Sequence, residues 1–154
     1  MTLTINRDYL IKTLADLVRI NSVNPSLVEA APGEAEIGRY IASAMRALGM
    51  TVTILEPQPQ RPSIVGLLKG NGSGRSLMLN GHMDTVGVEG MSNPFTPTIS
   101  DGKMTGRGAY DMKGSLAACL TAAEALVTSG KTLNGDLIIA AVADEEYASL
   151  GTAE

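Results

Sequence analysis

A chain of 154 residues, 44% hydrophobic and 18% charged, has the size and apolar share of one ordinary globular domain with a buried core. Its net charge of −4 is spread without an acidic or basic block, which argues against nucleic-acid and membrane-surface partners and favours small molecules. Cys119 is the single cysteine and excludes an intrachain disulfide; with no leader-like pattern over Met1–Asp8 and no apolar run longer than Leu137–Ala143, a cytoplasmic protein is expected.

In chain order, Asn6 is placed to cap a helix over about residues 7–20, with Leu10, Ile11, Leu14, Leu17 and Val18 on one face. Asn21 to Pro25 breaks it, because a residue before proline is pushed out of the helical region. Ile37, Tyr40, Ile41, Ala44, Met45 and Leu48 recur at helical spacing, which predicts a second helix over 34–48 closed by Gly49. Strands are predicted over 51–55 and 63–68, separated by the proline-bounded turn 57–62. The glycine-rich segment 70–76 lacks the spacing, the lysine and the following helix of a phosphate loop, and reads as a hairpin turn. A buried, central strand is expected over about 76–82. Residues 87–105 are irregular apart from a small hairpin around Asp101-Gly102. A third helix is expected over 115–127, with Cys119 buried among its alanines, and a doubly covered strand over 136–143. Alternating helices and buried strands predict an α/β three-layer sandwich, a mixed and mostly parallel sheet flanked by helices, with ligands at the carboxyl ends of strands.

Three polar clusters follow elements of that sheet: His82 with Asp84, Asp111, and Asp144-Glu145-Glu146. In an extended chain His82 and Asp84 share a side, so the carboxylate can orient the imidazole. Each cluster also has an ordinary reading: a satisfied strand-end histidine, an aspartate capping the next helix, and a solvated helix N-terminus. Taken together, carboxylates with one imidazole suit zinc, manganese or cobalt, and a divalent cation would relieve their mutual repulsion.

Gly81-His-Met-Asp-Thr-Val86, Gly106-Arg-Gly-Ala-Tyr-Asp-Met-Lys-Gly114, Asp144-Glu-Glu146 with Gly151, and Asn21-Ser-Val-Asn-Pro25 resemble the signatures of the M20 metallopeptidases. That family includes acetylornithine deacetylase, succinyl-diaminopimelate desuccinylase, carboxypeptidase G2 and dipeptidases. The resemblance implies two divalent ions, zinc first and cobalt or manganese as alternatives. His82 would bind one, Asp111 would bridge them and Glu146 would bind the other. Asp84 would orient His82, and Glu145 would be the general base toward a water between the ions. It further implies a cis Asp111–Met112 peptide bond and a homodimeric parent enzyme. Residues 1–154 would be the N-terminal part of a catalytic domain, with a lid domain and further ligands elsewhere. The activity implied is hydrolysis of an amide in an N-acyl amino acid, closest to acetylornithine deacetylase from the Ala141–Glu146 and Asn93–Thr98 contexts. An exopeptidase acting on short peptides and a non-catalytic module keeping the fold are the alternatives.

Overall fold

In the computed structural model the described residues are 3–153; Met1 and Thr2 of the N-terminal stretch lie outside them. Helices α1 (Arg7–Arg19) and α2 (Ala35–Ala47) match their predicted ranges, and the Asn6 side chain accepts a hydrogen bond from the Tyr9 amide at 3.1 Å. Strands β1 (Thr51–Leu55), β2 (Ser63–Leu68), β3 (Leu77–His82) and the short hairpin β4 (Thr98–Ser100) and β5 (Lys103–Thr105) follow as expected. Helix α3 (Lys113–Thr128) begins two residues earlier than predicted, and β6 (Leu137–Val142) closes the sheet. Cys119 on α3 is half-buried rather than buried. No α-helix starts at Asp144 among the described residues. A turn leads instead to a 3-10 helix at Leu150–Thr152.

The expected α/β fold with a mixed sheet flanked by helices is observed, in the order β1-β2-β6-β3, but where a mostly parallel sheet was expected, only one of the three pairings among the described strands is parallel. β1 and β2 are antiparallel, β2 and β6 are antiparallel, and β3 runs parallel to β6 with Leu77 opposite Leu137 and His82 opposite Val142. The apolar run of β6 therefore lies inside the sheet, where strands on both sides satisfy its backbone. This order corrects two expectations. Segment 70–76 does not join paired strands, because β6 sits between β2 and β3; the segment packs instead on the loop before β6, with the Asn71 amide donating to the Leu133 carbonyl and the Gly74 amide to the Asn134 carbonyl. β3, expected to be central, is an edge among the described residues, and Leu77 and Met78 are 58% and 54% exposed while its far end is buried.

Cross-strand partners share a face, so Ile64, Ala141 and Gly81 lie together, as do Gly66, Ile139 and Leu79. Helix α2 crosses this face so closely that a Cβ on Gly66 would lie 2.6 Å from Met45 Sδ. On Gly81 a Cβ would lie 2.9 Å from Met112 Cε and 3.1 Å from Leu116 Cδ2, which is why α3 can bring residue 111 up to the end of β3. The described helices cover this one face, with α1 lying on α3, and Leu17, Ile37, Ile41, Met45, Leu116, Leu120 and Ile139 form the core.

Candidate metal centre

Because β3 and β6 are parallel and in register, their carboxyl ends emerge side by side, carrying His82 and the Asp144–Glu146 segment to one place. The chain after β3 is clamped by the loop after α1: Asn24 donates its amide to the Thr85 carbonyl, and the Thr85 amide donates to Ser22. The third contribution comes from the turn before α3. Asp111 does not cap that helix, whose N-cap Met112 makes no side-chain bond; its carboxylate stands beside His82 instead. The Asp111–Met112 peptide bond is cis.

The His82 side chain is 5% exposed, with Nε2 3.1 Å from Asp111 Oδ1 and 3.5 Å from Glu145 Oε2. Donor atoms of His82, Asp111 and Glu146 lie within 4.8 Å of one another, and among the described residues this is the one such cluster. On the other side of the ring, Nδ1 lies 3.0 Å from the Asp84 carbonyl and 3.4 Å from Asp84 Oδ1. A proton on Nδ1 donated to Asp84 leaves the Nε2 lone pair facing the carboxylates, as ligation requires. Asp84 is wholly buried and also accepts the Glu145 amide at Oδ1 and the Glu146 amide at Oδ2, each at 3.1 Å. One carboxylate thus fixes both the imidazole and the backbone of the two glutamates. A cleft of about 320 Å³ beside it is lined by Asn80, His82, Met112, Val142, Glu145 and Thr152.

The cluster read as Asp144-Glu145-Glu146 divides. Glu145 and Glu146 face His82, whereas Asp144, fully buried, points to Arg61 Nη2 at 2.7 Å. Arg61, Glu34 and Asn24 form the rest of that buried arrangement; Asn24 lies in the Asn21–Pro25 signature without a role assigned to it, and the sequence context of Arg61 and Glu34 points to no function. A charged residue in a proline-bounded turn and a glutamate at a helix start are ordinary surface signals. Lys113 is the other side chain that sequence reasoning passed over: it is fully buried, donates to the Ile20 carbonyl at 2.7 Å, and burial pushes its ammonium down to about 7.

Crowding of carboxylates governs the electrostatics. Burial, with Asp111, Asp84 and Glu145 close by, holds the Glu146 carboxyl above its usual range despite the opposing pull of His82. Burial alone would lower His82, but hydrogen bonds to Asp84 and Asp111 and the charge of Asp84 outweigh it and raise the imidazole to about 9. Asp84 is held low, its burial outweighed by the bonds from His82, Asn24 and the two glutamate amides. The folded-state histidine is raised above its ordinary 6.5, so without added metal its contribution to stability is complete below about pH 6.5 and is lost as pH rises through about 9. Thermal unfolding across that window should show this decline, and His82→Gln should flatten it. An unchanged slope in the variant would exclude the histidine as its source.

The fold and the donor cluster define an α/β domain in which the parallel strands β3 and β6 end beside a group of side chains that could hold a metal ion. A sequence profile of Peptidase family M20/M25/M40 matches residues 78–154, and the chain belongs to that family. It is 37% identical over 153 residues to the N-formyl-4-amino-5-aminomethyl-2-methylpyrimidine deformylase of Halalkalibacterium halodurans, covering 96% of this chain and 35% of that protein. With the succinyl-diaminopimelate desuccinylase of Gluconacetobacter diazotrophicus it shares 40% identity over 148 residues, 91% of this chain and 36% of that one. Human carnosine dipeptidase 1 superposes with a TM-score of 0.78 at 25% identity, over 94% of this chain and 33% of its own. The chain spans about a third of the length of each.

Proposed function

We propose that the complete protein hydrolyses the amide bond of a small N-acyl compound at a divalent-metal centre built on His82, Asp111 and Glu146. The convergence of these donors within 4.8 Å, with the Glu145 carboxylate beside them, carries the reading. One imidazole among carboxylates fits zinc, with cobalt or manganese also accommodated. In this reading His82, Asp111 and Glu146 would hold two divalent ions, with Asp111, the most exposed of the three, as the donor shared between them, and residues elsewhere in the protein would complete the ligand set. When bound, the ions lower the pKa of water and polarise a carbonyl.

The chain's own residues supply the proton chemistry. Glu145, half-exposed at the cleft, takes a proton from the attacking water and returns it to the leaving nitrogen as the C–N bond breaks, so a carboxylic acid and an amine are released. Asp84 keeps His82 turned toward the site. Both glutamates stand beside His82 on the same turn, Glu146 as the donor that would hold metal and Glu145 as the half-exposed carboxylate that acts on water. The relatives' names favour release of a formyl or succinyl group from nitrogen, and the acetylornithine deacetylase-like reading predicts an acetyl group; a dipeptidase reading is supported by the similarity to carnosine dipeptidase 1. We place the enzyme in the cytoplasm as a homodimer.

Metal analysis of the complete protein beside an assay of N-formyl, N-acetyl and N-succinyl amines and dipeptides tests the proposal. Two zinc ions per chain and metal-dependent turnover of one acyl class are expected; a metal-free protein with full activity sinks it. Asp84→Ala should weaken zinc affinity by roughly 10–100-fold, as losses behind a ligand do. Calorimetric titration measures this, and an unaltered affinity would leave Asp84 a purely structural residue.

A further inference from the structure

The two glutamates are presented by a turn that no regular element supports, yet its backbone is held from behind by a buried polar network. Asp144 adopts the left-handed conformation with φ 65°, uncommon outside glycine but tolerated by aspartate. Its carbonyl accepts the amides of Tyr147, Ala148 and Ser149, and its carboxylate accepts the Leu150 amide at 3.4 Å. The same carboxylate is gripped by Arg61 Nη2 at 2.7 Å and Asn24 Nδ2 at 3.1 Å. Arg61 also meets Glu34 through Nε and Nη2, Asn24 Oδ1 at 3.2 Å and Ser26 Oγ at 3.3 Å, so all three of its nitrogens are used. Glu34 in turn accepts the Asp144 amide at 3.2 Å, and Asn24 Nδ2 reaches forward to Asp84 Oδ2 at 2.7 Å. Asn24, Glu34, Asp84 and Asp144 have no exposed surface, and Arg61 is 6% exposed.

We infer that Arg61 is a positioning residue for the Glu145–Glu146 turn. Its guanidinium fixes Asp144, which sets the direction of the turn, and orients Asn24, which holds Asp84 against the turn's two amides. A planar fork suits this task because it bonds Glu34, Asp144 and Asn24 at once at fixed angles; an ammonium is a point charge without that geometry. The inference deepens the metal-centre reading in naming what aims its glutamates, but it concerns backbone order and is tested without metal.

The test is amide hydrogen exchange in the uniformly 15N-labelled protein, read at Glu145 and Glu146 with Ile139 in β6 and Leu120 in α3 as internal controls. In Arg61→Met, exchange at both glutamate amides should accelerate at least roughly tenfold more than at the controls, whose own acceleration reports the loss of global stability; the excess is the signature of local opening. Arg61→Lys should fall between wild type and Arg61→Met. A residue needed only for overall stability would raise exchange at all four amides by one common factor, and that result, or unchanged glutamate amides, overturns the inference. Should Arg61→Met not fold, Arg61→Lys and Glu34→Gln carry the comparison by the same criterion. Zinc titration of the complete wild-type protein separates the two readings: no zinc binding there, together with the selective exchange pattern in Arg61→Met, refutes the proposed centre and leaves the role of Arg61 standing.

Discussion

Replacing Glu145 by glutamine is expected to lower kcat of the complete enzyme by roughly 10²–10⁴, the usual loss on removing a general acid–base, with metal content unchanged. The expectation follows from what the side chain does and does not hold. Its carboxylate is half-exposed at the cleft and approaches His82 Nε2 at 3.5 Å, whereas the turn around it is fixed by its amide bond to Asp84, which the substitution leaves intact. Glutamine keeps the shape and removes the basicity. Steady-state kinetics with metal analysis on the same preparation decides the matter. Near-normal turnover removes Glu145 from proton transfer, and loss of metal in parallel with kcat makes it a ligand.

Arg61→Met should destabilise the fold by about 3–5 kcal/mol, the range seen when one partner of a buried ion pair is removed. At about 2–4 °C per kcal/mol for a chain of this size, the midpoint of thermal unfolding would fall by roughly 6–20 °C. The cause is the pair of buried carboxylates left behind. Glu34 and Asp144 both face the guanidinium with no exposed surface, and burial already holds the Glu34 carboxyl above its usual range, against the pull of Arg61. The double variant Arg61→Met/Glu34→Met should cost less than the sum of the two single changes, because the second removes a charge that the first has stranded. Calorimetric unfolding of the four proteins measures both terms; additive losses would mean that the two side chains stabilise the fold independently.

Local sequence determined most of the secondary structure, because the signals involved are local. The periodicity of Leu10, Leu14 and Leu17, the cap at Asn6 and the apolar run of β6 act within a few residues of one another, so α1 and β6 match their expected ranges closely. The spacing His82-x-Asp84 likewise foreshadowed their contact, and the family signatures singled out the donors that the fold gathers within 4.8 Å. Strand order was not legible. Whether the glycines at 70–76 close a hairpin or lead past an inserted strand depends on where β6 docks, more than 60 residues later, and so β3 became an edge of the described sheet. The division of Asp144 from Glu145 and Glu146 was equally hidden: three adjacent acids look alike in sequence, and only the approach of Arg61, Glu34 and Asn24 from three other segments gives one of them a buried partner and leaves two facing the histidine. Burial of a charge requires all its partners at once, and those partners are brought together by tertiary packing rather than by any run of neighbouring residues.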